Sequence, residues 1–517
     1  MAEPPSKRRR VSDADEDHTV KESDRTPMSL SHPISPPRKK RNKERKLIPS
    51  PFQLTTIRDL PEASNIDAVS LKDLLGDPLI AECWEFNYLH DVDFLMSHFD
   101  EDTRSLVKVH IVHGFWKKED SSRILLEQQA SQYSNVTTHA AFMPEMFGTH
   151  HSKMIILFRH DETAEVIIHT ANMISKDWTN MTNGVWRTPR LPRLRSPEGS
   201  AEADMKIGSG ARFKADILSY LRAYNSRRPV CKSLVEELAK YDFLAVRGAL
   251  IASVPGKHDV NDDLSKTRWG WAAVKHALRS VPVQPGKSEI VVQISSIATL
   301  GATDSWLKRT LFDALSSPAK AITSKPDFKI VFPTPNEIRR SLDGYASGGS
   351  IHMKIQSAAQ TKQLQYMRPI LHHWANDSEK GISQEGESRD SGRKRAAPHI
   401  KTYIRYGEKS IDWALLTSAN ISKQAWGEAT NGVAQVRIAS WEIGVLVWPE
   451  LLSEGAKMVG TFMTDMPAKE VLDGDEPLIG LRIPYNLPLQ RYGNSEVPWV
   501  ATASYNEPDW TGRVWTT

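Results

Sequence analysis

Two cysteines in 517 residues, Cys83 and Cys231, are too few for a disulfide framework or a cysteine-built zinc site. No apolar run approaches the roughly 18–20 residues that span a membrane. The opening residues are too polar and charged for a secretory signal. A reducing, intracellular compartment with no membrane contact is the expectation. Bulk charge is also missing. Residues 1–50 hold 13 Lys and Arg against 8 Asp and Glu, while the rest of the chain is balanced at 54 to 55. A nucleic-acid footprint in the folded part must therefore come from local patches. No carboxylate cluster and no His/Cys spacing suggests Mg²⁺ or Zn²⁺. The pairs His150-His151 and His372-His373 are adjacent residues, which on a strand face opposite ways. Neither a metal nor a cofactor is expected.

What is present is an ordinary globular composition, 39% hydrophobic and 25% charged, long enough for two domains. Residues 1–51 are rich in Pro, Ser and charge without apolar periodicity and read as a disordered arm. The arm carries Lys7-Arg8-Arg9-Arg10 and, some thirty residues later, Arg38-Lys39-Lys40-Arg41 followed by Lys43, Arg45 and Lys46. Two basic clusters at that separation resemble a nuclear import signal, so the nucleus is the expected location. Ser35-Pro36 beside the second cluster is a candidate phosphorylation site. From residue 52 strands alternate with helices. Lys153–Phe158 and Glu165–His169 read as a strand pair, and Phe213, Ile217, Leu218 and Leu221 share a helical face. The alternation restarts at Glu289–Ile294, which implies an α/β architecture of mixed sheets flanked by helices, built twice. The expected domains are 52–252 and 253–517. Leu191–Asp204 and Asp377–Ala397 read as surface loops.

Self-similarity carries the argument further. His151-Ser152-Lys153 is matched by His399-Ile400-Lys401, and eighteen residues lie between each Lys and an Asn, Asn172 or Asn420. The same offset of 248 maps Trp178 onto Trp426 and Asn183-Gly184-Val185 onto Asn431-Gly432-Val433. One His-x-Lys means nothing, whereas two copies sharing His, Lys, Asn, Trp and Asn-Gly are a strong signal. On a strand, residues i and i+2 face one side, so each His and Lys project together. Eighteen residues suffice for a strand, a turn and a returning strand. Two halves related by a pseudo-twofold would gather two His, two Lys and two Asn around one pocket.

That set suits an anionic phosphodiester. Two lysines and two amides supply charge and directional donors for the phosphoryl oxygens. One histidine can attack phosphorus while the other protonates the leaving oxygen.

The same residues carry a family resemblance. Phe147-Gly148-Thr149-His150-His151-Ser152-Lys153, Pro398–Tyr403 and Ser418–Gly427 resemble signature blocks of the tyrosyl-DNA phosphodiesterases, a branch of the phospholipase D superfamily. So do Glu85–Tyr88, Gly348-Gly349-Ser350 and Trp441–Leu446. In the wider superfamily an Asp follows the Lys after four residues. Phe158 and Tyr406 stand there instead, a departure typical of this branch. The resemblance implies two phospholipase D-like domains sharing one active site, with His151 as nucleophile and His399 as acid and then base. It implies that Lys153, Lys401, Asn172 and Asn420 bind phosphate, and that Glu442 orients His151. Asn183 takes the place of the Gln that usually orients the second histidine. Phe147 would stack on a base, Ser296, Ser350 and Ser422 would contact the DNA backbone, and Tyr88 would face the peptide. The implied substrate is a DNA 3′ end, single-stranded or at a nick, bearing a tyrosyl peptide left by topoisomerase I. The working unit is expected to be a monomer. A phospholipase or non-specific nuclease of the same superfamily, or a non-catalytic DNA-end binder, are the competing readings.

Overall fold

The computed structural model of the chain describes residues 45–195, 205–260, 266–317, 324–377, 388–430 and 434–516. The basic clusters up to Lys43, Ser35, the repeat block 431–433 and parts of both polar stretches fall outside the described residues.

The strand Met154–Arg159 is buried along its whole length and pairs with Thr163–His169, also largely buried. Continuous apolar runs of this kind need cover on both faces of the sheet. The first sheet runs Val136–Ala140, Lys108–His113, Ile80–Phe86, Met154–Arg159, Thr163–His169, Gly184–Arg187. The first three strands are parallel, and Met154–Arg159 is antiparallel to Ile80–Phe86. The second sheet repeats that order with Leu371–His372, Asp327–Val331, Glu289–Gln293, Thr402–Tyr406, Ile411–Thr417, Glu442–Val447. The twofold construction is thus a property of strand order and pairing sense, not only of motif spacing.

The second sheet also takes in chain from outside its own half. Leu47–Ile48 pairs with Leu478–Arg482, and Ala249–Ser253 pairs with Glu442–Val447. Both insertions shift the expected boundaries. The folded body begins by Arg45, inside the arm expected over 1–51, because Arg45 donates to the carbonyls of Glu476 and Lys469 and Leu47–Ile48 adds a strand. The passage between sheets precedes residue 249. The stretch 388–397 is not a surface loop either, since Ser391, Arg393, Ala396 and Ala397 are buried.

Three apolar clusters organise the body. One covers the outer face of the first sheet, with Val109, Ile111, Ile155 and Leu157, and another the outer face of the second, with Val292, Ile330, Tyr403 and Leu415. The largest lies between the sheets. It joins Met154, Ile156 and Ile168 to Ile404, Leu416, Ile443 and Val445, with the helix Gly210–Ala223 adding Phe213, Ile217 and Leu221. Alternate residues of each strand serve the inner and outer clusters, as the two-residue period requires. A shared central core holds the two halves as one unit. No helix among the described residues is long and apolar enough to cross a membrane.

Candidate active site

Each His-x-Lys segment lies just ahead of its strand rather than within it. The Lys carbonyls take the last ladder bonds, His169 N to Lys153 O at 3.1 Å and Thr417 N to Lys401 O at 3.2 Å. Beyond that rung the backbone turns to the opposite half. His151 N donates to Trp441 O, and His399 N to Thr182 O, both at 3.0 Å. Alternation persists all the same. Ser152 bonds the Tyr220 hydroxyl and Ile400 enters the central core, leaving His and Lys on the other side. Asn172 and Asn420 follow directly on the returning strands. His151, His399, Asn172, Asn420 and Glu442 all line one cleft of about 310 Å³.

The histidines are held across the halves. His151 Nδ1 lies 2.9 Å from Glu442 Oε2. His399 Nδ1 lies 3.1 Å from both Asn183 Oδ1 and Asp177 Oδ2. Neither Nε2 has a protein hydrogen-bond partner among the described residues, so each ring keeps one nitrogen for chemistry. Strand pairing makes Asn183 the counterpart of Glu442, because Val185 pairs with His169 as Gly444 pairs with Thr417. The hydroxyls of Thr170 and Ser418 accordingly donate to Asn183 Oδ1 and Glu442 Oε2, at 2.9 and 2.5 Å. The constant offset, which equates Glu442 with Leu194, holds through the helices Ser175–Thr179 and Lys423–Trp426 and fails after them. Eleven extra residues enter the second half before Glu442–Val447.

Asp177 was not singled out by the repeat, because offset 248 places Ala425 opposite it. It is fully buried and accepts from Asn172 N at 2.7 Å and Asn172 Nδ2 at 2.9 Å. One amide hydrogen of Asn172 is thereby engaged and the other remains. Asn420 is held differently. Its Oδ1 accepts the backbone N–H groups of Ser295 and Ser296, at 3.1 and 2.9 Å, which leaves its whole NH₂ for a ligand.

Electrostatics separates the two sides. Burial pushes His151 down and Glu442 pulls against it. Burial pushes Glu442 up, but the adjoining His151 and the Ser418 hydrogen bond outweigh it, and the carboxyl ends below its ordinary value. Asp177 is pushed up by burial despite Asn172 and both lysines. His399 falls well below its usual value through burial and then the charges of Lys401 and Lys153. Lys153 is lowered to about 8 by burial, against Glu442, Asp177 and Glu85. Lys401 falls further, through burial and repulsion from Lys153. Both lysines are wholly buried and donate to the carbonyl of their own motif's histidine. A phosphodiester anion between these ammonium groups would favour their charged forms.

The remaining sequence candidates also meet here. Phe147, Tyr88, Ser296, Ser350 and Ser422 line the same cleft. Phe147 is 80% exposed at the rim, and the Tyr88 ring lies 5.9 Å from that of His151. Neither Asp177 nor the cleft residues His352 and Ser440 belong to a motif of the sequence, and Gln424, also in the lining, lies within the block Ser418–Gly427 without a role of its own. His352 stands two residues beyond Ser350, within reach of a motif-by-motif reading. Gln424 and Ser440 show no pattern of their own.

Known proteins resemble this chain over most of its length. The family model "Tyrosyl-DNA phosphodiesterase" matches residues 51–493. A probable tyrosyl-DNA phosphodiesterase of Schizosaccharomyces pombe is 29% identical, over 92% of this chain and 98% of its own. Tyrosyl-DNA phosphodiesterase 1 of Arabidopsis thaliana is also 29% identical, over 90% of this chain and 77% of its own. The crystal structure of the yeast tyrosyl-DNA phosphodiesterase superposes with a TM-score of 0.61 at 19% identity, covering 87% of this chain and 98% of that one, and so shares the fold. The chain belongs to the tyrosyl-DNA phosphodiesterase family.

Proposed function

We propose that this chain is a nuclear DNA-repair enzyme that hydrolyses the bond between a topoisomerase I-derived tyrosyl peptide and a DNA 3′-phosphate. The observation that carries the reading is the exchange of histidine partners between halves. It leaves two free Nε2 atoms at one cleft beside two buried lysines. His151 Nε2 attacks phosphorus as the P–O bond to tyrosine breaks, and His399 delivers a proton to the phenolic oxygen. Water then attacks the phosphohistidine with His399 taking its proton, the P–N bond breaks, and a DNA 3′-phosphate leaves. Lys153, Lys401, Asn172 and Asn420 hold the phosphoryl oxygens. Glu442 fixes the His151 tautomer, and Asn183 with Asp177 fixes that of His399. Phe147, Ser296, Ser350 and Ser422 take the DNA side and Tyr88 the peptide side.

The lowered His399 pKa opposes its role as an acid, and two facts ease the conflict. A bound phosphate offsets the lysine charges that contribute to the lowering, and phenol, with pKa near 10, leaves with little protonation. One chain supplies both half-sites, which supports a monomer as the working unit.

The test is a 3′-phosphotyrosyl oligonucleotide incubated in EDTA. Release of tyrosine and a 3′-phosphate oligonucleotide is expected. Loss of activity with chelator and recovery with Mg²⁺ would defeat the metal-free mechanism, and no release under any condition would defeat the substrate.

A further inference from the structure

Lys153 and Lys401 are counterparts in the repeat but not in their surroundings. Glu85 pairs with Ile155 across the first sheet, and Lys153 stands two residues before Ile155 on the same face. The carboxylate therefore lies diagonally across from Lys153, about 7–8 Å between backbones and within reach of a long side chain. In the second sheet Tyr403, the counterpart of Ile155, pairs with Val292, a wholly buried apolar residue. Glu85 is itself fully buried, and among the described residues neither of its carboxylate oxygens accepts an aligned hydrogen bond. A buried carboxylate short of donors is costly unless a cation compensates it. Lys153 donates one of its three N–H groups to His151 O at 3.1 Å, which leaves two.

We propose that Glu85 is the counter-charge that holds Lys153 as an ammonium for the phosphate, a positioning residue that the second half lacks. The inference rests on the function proposed above. The carboxylate is mounted on the catalytic segment. His90 Nδ1 lies 2.8 Å from Glu85 Oε2, and His90 Nε2 donates to Asn87 O at 3.1 Å. The same carbonyl accepts from His150 Nδ1 at 2.8 Å, and His150 adjoins His151. The charge of His90 bears on His113 and His150. That of Glu85 bears on Lys153 and on Cys83, a thiol that burial keeps neutral. The other groups facing Lys153 cannot take its place. Glu442 is engaged by His151 and Ser418, and Asp177 by Asn172. Lys401 repels Lys153 from the opposite half. His150, His151, His169 and His399 are all pushed down by burial and supply no negative charge. Burial lowers both lysines, Lys401 further than Lys153, which is the order an extra carboxylate on the first side produces.

The experiment makes Glu85→Gln, which keeps the shape and removes the charge, in the wild-type chain and in Lys153→Arg. One readout is the pH dependence of kcat/KM and of kcat on a 3′-phosphotyrosyl oligonucleotide. The other is the titration midpoint of Lys153 without substrate, followed by NMR of isotope-labelled lysine and assigned through Lys153→Arg and Lys401→Arg. In the wild-type background that midpoint and the Lys153 part of the basic limb of kcat/KM should fall by about one pH unit, a loss of about tenfold on the limb and little at about pH 6. The limb of kcat should move less, because a bound phosphodiester itself holds the ammonium charged. Glu85→Asp keeps the charge and should retain most of the wild-type limb. In Lys153→Arg, whose charge is fixed, Glu85→Gln should leave the profile in place. A Lys153 midpoint unmoved by Glu85→Gln overturns the proposal. So does an equal loss at every pH, the mark of a purely structural role, or the same limb shift in Lys153→Arg. Should Glu85→Gln not fold, the wild-type titration decides, since Lys153 is expected to titrate above Lys401 and a midpoint at or below it overturns the proposal. If the wild-type chain releases no tyrosine, the proposed function fails, and the lysine titration still tests the pairing.

Discussion

The two halves of the site start from one plan and end with different chemistry. Both use a strand-end His and Lys, a following Asn, and a hydroxyl that props the histidine's partner. The partner is an ionised carboxylate in one half, since Glu442 stays below its ordinary pKa. In the other it is a neutral amide, Asn183, joined by Asp177, whose pKa burial raises. An ionised partner favours an Nδ1–H and a basic Nε2 on His151, suited to attack. An amide lends less charge, and His399 then shuttles a proton more readily. Duplication therefore supplies the frame, and in the proposed mechanism the replaced partner assigns the roles.

The widest separation of the two halves comes from removing each histidine. His151→Ala should lose turnover by more than about 10⁴-fold and form no covalent adduct. His399→Ala should lose about 10²–10⁴-fold and accumulate phosphohistidine–DNA, seen as a denaturation-resistant gel shift. The adduct appearing only with His151→Ala would exchange the roles, and its appearing with neither would remove the covalent step.

The partners should give smaller and opposite effects. Glu442→Gln makes the two sides alike, and a loss of about 10–100-fold in turnover without adduct is expected, because attack slows. Asp177→Asn should cost about tenfold and do so differently. It frees Asn172, raising KM, and weakens His399 as a base, so adduct should build up in rapid-quench traces. If both variants slow the same step, the division between halves is not set by these groups.

The sequence made the frame legible through its repeat. The strand pairs, the return to Asn172 and Asn420 and the two His-x-Lys segments all follow from periodicity and spacing. What it concealed has physical causes. Asp177 stands opposite Ala425 under the repeat, so a search for shared residues discards it. The pairing of Glu442 with Asn183 is hidden by eleven extra residues in the second half, and only the strand register reveals it. Leu47–Ile48 is too short to show a period, and its strand exists only because Leu478–Arg482 offers an edge.

The lysines offer a finer test. Lys153, lowered to about 8, is charged below that pH and neutral above it, so kcat/KM should fall as pH rises through about 8. Lys153→Arg keeps its charge throughout and should remove the Lys153 contribution near 8, leaving the limb that Lys401 sets, at some cost in rate from the larger head group. A limb that stays near 8 in the variant would assign it to another group.

The least effect on catalysis is expected from the arm, where the comparison becomes one between the arm and the body. Both basic clusters lie in or near residues 1–44, and every residue lining the cleft lies beyond position 87. Deleting 1–44 should leave kcat and KM on short oligonucleotides within experimental error while dispersing the protein from nucleus to cytoplasm, read by imaging a tagged chain. Deleting 1–50 goes further, because it removes Arg45, the Leu47–Ile48 strand and the Ser50 hydroxyl that accepts from Arg482 N at 2.9 Å. That truncation should show the same dispersal and, in addition, a lower thermal midpoint, since an edge of the second sheet and its backbone bonds are lost. Retained nuclear concentration after the shorter deletion would take the import signal out of the arm. A thermal midpoint equal for both deletions would take the strand out of the fold's stability.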